Sequence, residues 1–202
     1  NEGNIVAYPF KKFFNMEENK HTPTEKFEVY EKMDGSLGIL FFYEGKWVVA
    51  TRGSFTSPQA VKAREMLDTK YNLESIPKGY ATLFEIIYPE NRIVVDYGDE
   101  EKLVVLGMTS RASGKELDYE SIVNMHSVSG IPVVKRYDGI KDYTTLKGMV
   151  ENNAEGFVVK FSNGDRMKIK GEEYLRLHKI MTNVSTTGIW EFVSNGGDVN
   201  EF

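Results

Sequence analysis

The sequence predicts an α+β fold in which antiparallel β-sheets are flanked by peripheral helices. Apolar and aromatic runs of strand length are separated by short turn signals, a pattern typical of hairpins. The few helical patterns stand beside these hairpins and do not alternate with single strands, as they would around a parallel sheet. Hydrophobic residues make up 41% of the 202 residues, which is enough for a sizeable core.

An extended segment and a hairpin come first. Phe27–Lys32 has a strand-like pattern, and Gly38–Tyr43 and Lys46–Thr51 are apolar runs separated by Glu44-Gly45. Two residues of this kind between apolar runs indicate a tight hairpin turn. We therefore expect three strands in this part of the chain.

A helix is expected next. Ser57 suits the N-cap position and Pro58 the first helical position, and the pattern continues to about Thr69. The apolar side of this helix is expected to contain Val61, Met66 and Leu67.

The middle of the chain predicts two buried strands. Tyr80–Ile87 and Leu103–Met108 are apolar runs of strand length. Between them, Pro89–Asn91 and Gly98-Asp99 are turn material around a short segment at Arg92–Tyr97.

The last part predicts another hairpin. Gly156–Phe161 and Arg166–Lys170 are joined by the Asn163-Gly164 turn. Three further helices are expected around it: Asp118–Met125, Tyr143–Val150 and Glu172–Met181.

Composition excludes several classes of protein. No run of 18 apolar residues predicts a membrane span, no secretory signal is visible, and the absence of Cys excludes disulfides and thiolate chemistry. The three histidines lack metal-ligand spacing. We therefore expect an intracellular, cytoplasmic protein. A net charge of −5 argues against coating nucleic acid by electrostatics alone, but it leaves room for an enzyme with one basic cleft.

A lysine at the end of the first strand is the first candidate for chemistry. Lys32 lies in the run from Glu31 to Ser36, two residues before Asp34 and three before Gly35. Such a run can be a plain surface turn. It can also direct a lysine into a pocket, with the acid on the same side by the period of two and the glycine close to a ligand.

Charged residues in the other strands favour the pocket. Arg52 follows the first hairpin, and Glu85 lies in the middle of an apolar strand, where a carboxylate needs a partner or a ligand. Glu155 precedes the last hairpin. Alternation places Lys168 and Lys170 on one face of its second strand, where they are either solvated or part of a phosphate clamp.

In this order, from about Tyr8 to Lys170, these segments resemble the covalent nucleotidyltransferase superfamily of polynucleotide ligases and mRNA capping enzymes. Within it, the chain is most similar to the phage-type RNA ligase 1 family. The segment Pro9–Asn15 looks like that family's stretch upstream of the nucleophile. Leu37 stands where DNA ligases and capping enzymes usually carry arginine, and a helix follows the last lysine motif.

The resemblance implies an ATP-grasp-like nucleotidyltransferase domain and a reaction in three steps. Lys32 would attack the α-phosphorus of ATP, expel pyrophosphate and hold AMP through a phosphoramide bond. AMP would then pass to an RNA 5′-phosphate, and a 3′-hydroxyl would displace it. Lys168 and Lys170 would contact the α-phosphate, and their charge would favour the neutral, nucleophilic form of the attacking amine.

The remaining roles also come from the resemblance. Glu85 would bind the ribose of AMP, and Arg52 would reach its ribose or phosphate side. Glu155 would hold a metal or its water shell, and Asp34 would organise that shell. For Glu31, contact with the adenine amino group and a solvent-facing position stay open. The implied cofactors are ATP and Mg²⁺, with Mn²⁺ as an alternative.

The resemblance further divides the chain. Residues 1–181 would form the adenylation domain, and residues 182–202 a C-terminal helical extension, including a helix at Ile189–Glu191, that begins an accessory domain. The implied partner is RNA with 5′-phosphate and 3′-hydroxyl ends, with a kinase or phosphatase that prepares those ends as a further possibility. A DNA ligase, a capping guanylyltransferase and an inactive nucleotide- or RNA-binding module are the alternatives.

Overall fold

The computed structural model describes residues 3–183 and 194–195 and contains two mainly antiparallel sheets with helices around them. The α+β prediction is confirmed. The strands are β1 (Phe14–Asn15), β2 (Phe27–Lys32), β3 (Ser36–Tyr43), β4 (Lys46–Ala50), β5 (Tyr80–Ile87), β6 (Lys102–Ser110), β7 (Arg136–Tyr137), β8 (Gly156–Phe161) and β9 (Arg166–Lys170). The α-helices are α1 (Pro58–Thr69), α2 (Tyr119–His126) and α3 (Glu172–Asn183).

The strands divide into a five-stranded and a four-stranded sheet. The five-stranded sheet has the order β1-β9-β8-β2-β7, and the four-stranded sheet has the order β4-β3-β5-β6. All neighbours are antiparallel except β1 and β9, which run parallel. The chain crosses from one sheet to the other directly after Lys32, so the predicted nucleophile lies at the junction.

Local sequence accounts for the predicted hairpin and the first helix. Glu44 and Gly45 have positive φ values of 48° and 81°, which match the twist of the flanking strands. The Ser57 hydroxyl accepts a hydrogen bond from the Ala60 amide, as expected of an N-cap. One expectation is wrong: Val61 is 58% exposed, because the buried side of α1 is formed by Ala60, Ala63, Met66 and Leu67.

The stretch from Arg92 to Tyr97 is irregular after a 3-10 turn at Pro89–Asn91, and its Val94 and Val95 amides bond to the Asp34 side chain. One other segment differs from the prediction. The helix expected at Tyr143–Val150 is a 3-10 helix over Tyr143–Met149. Its Asp142 cap accepts from the Thr144 amide, which suits a tight first turn.

Each sheet has its own core. The core between the four-stranded sheet and α1 is built from large apolar side chains such as Leu40, Phe84, Met66, Leu67 and Met108. The five-stranded sheet buries Val29, Phe157, Val159, Phe161, Met167 and Ile169 on one face. Lys168 and Lys170 alternate with the buried Met167 and Ile169, which confirms the predicted face. The opposite face of this sheet therefore carries charged side chains.

The C-terminal predictions are only partly covered. α3 passes residue 181 and ends at Asn183 in the described chain. The helix expected at Ile189–Glu191 lies outside the described residues, and the division at residue 181 stays a prediction. No helix among the residues described is both long and apolar enough to cross a membrane.

Candidate active site

The site is built on one row of the five-stranded sheet. Lys32 at the end of β2 pairs with Gly156, which in turn pairs with Lys170 at the end of β9. A Cβ on Gly156 would lie 1.8 Å from the Ile169 carbonyl oxygen, and its φ of 149° also favours glycine. The position between the two lysines therefore carries no side chain, and both amines can converge.

Glu155 is where they converge. Its Oε1 lies 3.1 Å from Lys32 Nζ and 3.6 Å from Lys170 Nζ, and its side chain is 4% exposed while each lysine side chain is 21% exposed. Burial raises the pKa of Glu155, and the two lysines only partly oppose this. Both lysine contacts are made by this one oxygen of Glu155.

Lys168 adds an unpaired charge to the same face. It lies two residues before Lys170, and within the described part of the chain it has no ion pair. Burial lowers the pKa of Lys168, and the nearby charges of Lys170 and Lys32 lower it further. Three amines around one buried carboxylate leave a net positive site, which suits a phosphate group.

The second carboxyl of the site comes from the other sheet. Glu85 of β5 is 9% exposed, and its Oε1 accepts a hydrogen bond of 3.0 Å from the Gly35 amide. Burial raises the pKa of Glu85 to about 8; Lys32 opposes this shift and Glu155 adds to it. A carboxyl that is mainly protonated at neutral pH can both donate to and accept from a ligand hydroxyl.

The turn after Lys32 requires glycine for a steric reason. A Cβ on Gly35 would lie 2.5 Å from the Ile86 carbonyl oxygen, so only glycine lets this turn pack against β5. The neighbouring Ser36 hydroxyl accepts a hydrogen bond of 3.0 Å from Asn91 Nδ2. These contacts hold the turn after Lys32 on the four-stranded sheet.

Asp34 has a different environment from the one that alternation suggests. β2 ends at Lys32, and the Asp34 carboxylate is 4% exposed. Its Oδ1 accepts from the Tyr174 hydroxyl at 2.8 Å, and its Oδ2 accepts from the Val94 and Val95 amides at 2.9 and 2.8 Å. Both oxygens thus hold protein donors, and the carboxylate ties the turn to α3. The role expected of Asp34, to organise the water shell of a metal, stays a prediction.

Two predicted residues stand apart from this cluster. Glu31 pairs with the core residue Phe157, and neighbouring positions of a strand point to opposite faces, so Glu31 lies on the other face from Lys32. Arg52 is exposed in the turn after β4, at the end of the four-stranded sheet where β3 begins. The adenine and ribose contacts expected of them stay predictions.

A divalent metal fits the donor set only together with a substrate. Among the described residues, no three His, Asp or Glu side chains lie together as a metal site. Mg²⁺ commonly takes one or two carboxylates, keeps several waters and draws its other oxygens from phosphates. Glu155, buried beside the lysines that would bind the phosphates, is the carboxylate that meets this requirement here.

The sequence did not predict the residues that form hydrogen bonds with Asp34. Tyr174 and the amides at Val94 and Val95 bind Asp34, and the Tyr97 hydroxyl accepts from the Asp34 amide at 2.9 Å. The spacing of Tyr174, four residues after Lys170, is a signal that could have been used, because it returns a polar aromatic side chain toward the lysine strand.

Comparison with known proteins identifies a family. The model of a family described as RNA ligase matches residues 1–183. A candidate RNA ligase of Thermovibrio ammonificans is 30% identical over 195 residues, covering 89% of this chain and 51% of that protein. A candidate bifunctional polynucleotide kinase/RNA ligase of Autographa californica nuclear polyhedrosis virus is 29% identical over 228 residues, covering 95% of this chain and 31% of that protein.

A solved structure shares the fold. A Naegleria gruberi RNA ligase mutant with ATP and Mn has a TM-score of 0.61 and 18% sequence identity. The likeness covers 77% of this chain and 52% of that one. The chain thus spans about half of the first relatives that it matches, or less.

Proposed function

The chain belongs to the RNA ligase family, and we propose that it is the adenylation domain of an ATP-dependent RNA ligase with Lys32 as the nucleophile. The observation that carries the proposal is the row formed by Lys32, Gly156 and Lys170 around Glu155. This row presents a half-buried amine beside two further lysines, where a phosphate can be bound and attacked.

In the first step, Lys32 Nζ attacks the α-phosphorus of ATP. A phosphorus–nitrogen bond forms, the bond from the α-phosphorus to the bridging oxygen breaks, and pyrophosphate leaves with the electron pair. Lys168 and Lys170 would bind the α-phosphate and stabilise its developing negative charge. Lys32 Nζ would give up a proton to solvent as it attacks, and its 3.1 Å contact with Glu155 holds the amine at the phosphate site.

The adenosine would extend toward the four-stranded sheet. Glu85 lies across the turn from Lys32, and its neutral carboxyl can exchange hydrogen bonds with the ribose hydroxyls. Arg52 would reach the ribose or phosphate from the same end of that sheet. Glu31 faces the opposite side of β2 from Lys32, so it would contact the adenine only if the end of β2 twists. We therefore expect Glu31 to contribute least to nucleotide binding.

Glu155 would hold Mg²⁺ or Mn²⁺ through its oxygens or through bound water, together with the phosphates of ATP. When bound, the metal neutralises phosphate charge. The Naegleria gruberi structure that contains ATP and Mn supports this choice of cofactors. Asp34 would contribute indirectly, by fixing the turn that carries Lys32.

The later steps join RNA ends. A 5′-phosphate oxygen of RNA attacks the phosphorus of lysyl-AMP, the phosphorus–nitrogen bond breaks and AMP-capped RNA forms. A 3′-hydroxyl oxygen then attacks the 5′-phosphorus, a phosphodiester bond forms and AMP leaves. The viral relative, whose name joins a polynucleotide kinase to an RNA ligase, supports the further proposal that an end-preparing kinase or phosphatase acts with this chain.

The test is transfer of label from α-³²P-ATP with Mg²⁺ to the native chain, to Lys32→Ala and to Lys46→Ala. Lys46 is an exposed lysine at the far hairpin, so it is the matched control. We expect label on the native and control proteins after denaturation and none on Lys32→Ala. A native chain that takes label from GTP and not from ATP would indicate a guanylyltransferase. Joining of DNA ends in preference to RNA ends would indicate a DNA ligase, and an unlabelled native chain would favour a binding module.

A further inference from the structure

A cavity lies at the turn end of the β8–β9 hairpin, next to the edge strand β1. Its volume is about 300 Å³, and it is formed by the segment before and after β1 together with the start of β9. The residues that line it include Lys11, Lys12, Lys20 and Phe14, together with Arg166, whose charge is paired with Glu116. The functions assigned to the Lys32 row do not use this groove.

The groove is basic although the whole chain is acidic. Lys11, Lys12 and Lys20 are exposed, and no ion pair neutralises them in the described chain. The carboxylate at its wall is Asp165, which accepts a hydrogen bond of 3.1 Å from Asn163 within the hairpin turn. Against a net charge of −5, this surface is a local concentration of positive charge that attracts a polyanion.

An aromatic side chain is exposed among these cations. Phe14 lies on the edge strand β1 and is 44% exposed, and Lys12 Nζ stands 5.0 Å from the centroid of its ring. An exposed phenyl ring beside lysines is the combination that binds single strands, because bases stack on the ring while amines contact the phosphates. A duplex would hide the faces of its bases from this ring.

The groove borders the lysine strand at β1, the edge strand next to β9. Phe14 pairs with Met167 and lies on the core side of the sheet, whereas Asn15 pairs with Lys168 and shares the face of the lysines. Neighbouring strands lie about 5 Å apart, so a nucleic-acid strand that passes from the groove over the edge at β1 would reach Lys168 within a few nucleotides.

We propose that this groove binds single-stranded RNA next to the end that reacts at Lys32. This inference rests on the proposed RNA ligase function and adds to it a surface for the polynucleotide. Recognition would be independent of sequence, since amines contact phosphates and the ring stacks on any base.

The test uses the whole chain and the double variant Lys11→Ala/Lys20→Ala, which spares β1 and the catalytic row. The control is Lys46→Ala/Lys78→Ala, which removes the same charge from exposed lysines at the opposite end of the four-stranded sheet. The probe is a fluorescent single-stranded RNA with a 5′-phosphate and a blocked 3′ end. Three quantities are measured: lysyl-AMP formed from labelled ATP, RNA affinity by anisotropy over a range of salt, and AMP transfer to RNA.

We expect the groove variant to form lysyl-AMP as the native chain does. Its RNA affinity should fall about tenfold at low salt. Its slope of log affinity against log salt should shrink by about 1.4, or about 0.7 for each phosphate that the variant no longer binds. AMP transfer at limiting RNA should fall in parallel, and the control should match the native chain.

Several results would overturn the inference. These are unchanged RNA affinity and slope in the groove variant, an equal loss in the control, or a loss confined to duplex RNA. Reduced lysyl-AMP formation in the groove variant alone would assign the groove to ATP instead. A native chain that forms no lysyl-AMP but binds RNA through the groove would remove the proposed ligase function and leave the binding surface.

Discussion

Two carboxylates outside the strands contact lysine or arginine side chains of the five-stranded sheet, but they are bound in different ways. Glu116 lies at the turn end of β9 and binds Arg166 through both of its oxygens, at 2.6 and 2.8 Å, and Lys160 at 3.0 Å. The Phe10 ring covers the guanidinium at 4.1 Å. Glu155 lies at the other end of β9, and its lysines approach a single oxygen, Oε1.

The pKa shifts of the two carboxyls run in opposite directions. Burial raises the pKa of Glu116, but the Arg166 hydrogen bonds and charge outweigh it, so the net shift is downward. Burial also raises the pKa of Glu155, and there Lys32 and Lys170 do not compensate. A planar guanidinium satisfies a carboxylate bidentately, whereas ammonium groups act as point charges.

The difference separates a carboxylate that is bound through both oxygens from one that is bound through a single oxygen. Around Glu116 both carboxylate oxygens are bound by cations, and the cluster joins the loop after β6 to β9. Around Glu155 the lysines approach one oxygen only, and Lys168 has no ion pair within the described part of the chain, so under the proposed function both groups are available to a metal and a phosphate. Counting opposite charges would not distinguish the two, but their geometry and burial do.

The largest effects are expected when each of the two carboxylates is neutralised in turn. Glu155→Gln should lower the rate of lysyl-AMP formation by about 100-fold or more, because it removes a group at the reacting amine and the metal, with little loss of stability. Glu116→Gln should lower the free energy of unfolding by about 2–3 kcal/mol and leave the rate of folded protein nearly unchanged. Single-turnover labelling and urea unfolding measure the two effects. Equal rates in the two variants would contradict the assignment.

A steric test addresses the backbone that brings the lysines together. Gly156→Ala should lower the free energy of unfolding by about 3 kcal/mol or more and abolish labelling, since its Cβ would overlap the Ile169 carbonyl. Gly45→Ala is the matched control: its φ is also positive, but nothing lies within 4 Å of the added atom, so we expect about 1 kcal/mol. Chemical denaturation compares them, and similar costs would refute the steric argument.

The pH dependence of stability tests the buried carboxyl of the other sheet. The folded-state pKa of Glu85, about 8, exceeds the ordinary value of 4.5, so the folded state binds this proton more tightly. Glu85 therefore makes the free energy of unfolding fall as pH rises from about 4.5 to 8, by up to about 1.4 kcal/mol per pH unit. Glu85→Gln should flatten this slope. The free energy of unfolding is measured with urea at several pH values for both proteins. If it changes equally with pH in the native chain and in Glu85→Gln, Glu85 is ionised in the folded protein.

Much of the site could be predicted because its residues stand at regular positions of strands. Alternation in β9 correctly placed Lys168 and Lys170 opposite the core, and the apolar run around Glu85 correctly predicted a buried carboxyl. Strand patterns report which face a residue occupies, and that information is local.

The parts that could not be predicted depend on partners far away in the chain. β1 and β7 have two residues each, too few to produce a pattern, and β1 exists because it pairs with β9. Asp34 looked like a neighbour of Lys32 on one strand face, but its donors come from Val94, Val95 and Tyr174. Alternation cannot identify such donors.

The smallest expected effect concerns the tether between Asp34 and α3, which is the hydrogen bond from the Tyr174 hydroxyl. Tyr174→Phe removes the hydroxyl that bonds to Asp34, and Tyr143→Phe, the control, removes a similarly buried hydroxyl that bonds to the Pro23 carbonyl at 2.7 Å. Each should lower the free energy of unfolding by about 1–2 kcal/mol. Only Tyr174→Phe should also slow labelling, because only this hydroxyl is bonded to the turn after Lys32. Equal labelling rates would show that the tether is merely structural.

The position of the AMP adduct tests directly whether Lys32 is the nucleophile. The chain is incubated with ATP and Mg²⁺, digested under conditions that preserve phosphoramide bonds, and analysed by tandem mass spectrometry, beside a Lys32→Arg variant that keeps a positive charge facing Glu155. We predict AMP on Lys32 in the native chain and no adduct in the variant. AMP on Lys168 or Lys170, or an adduct that persists in Lys32→Arg, would contradict the account.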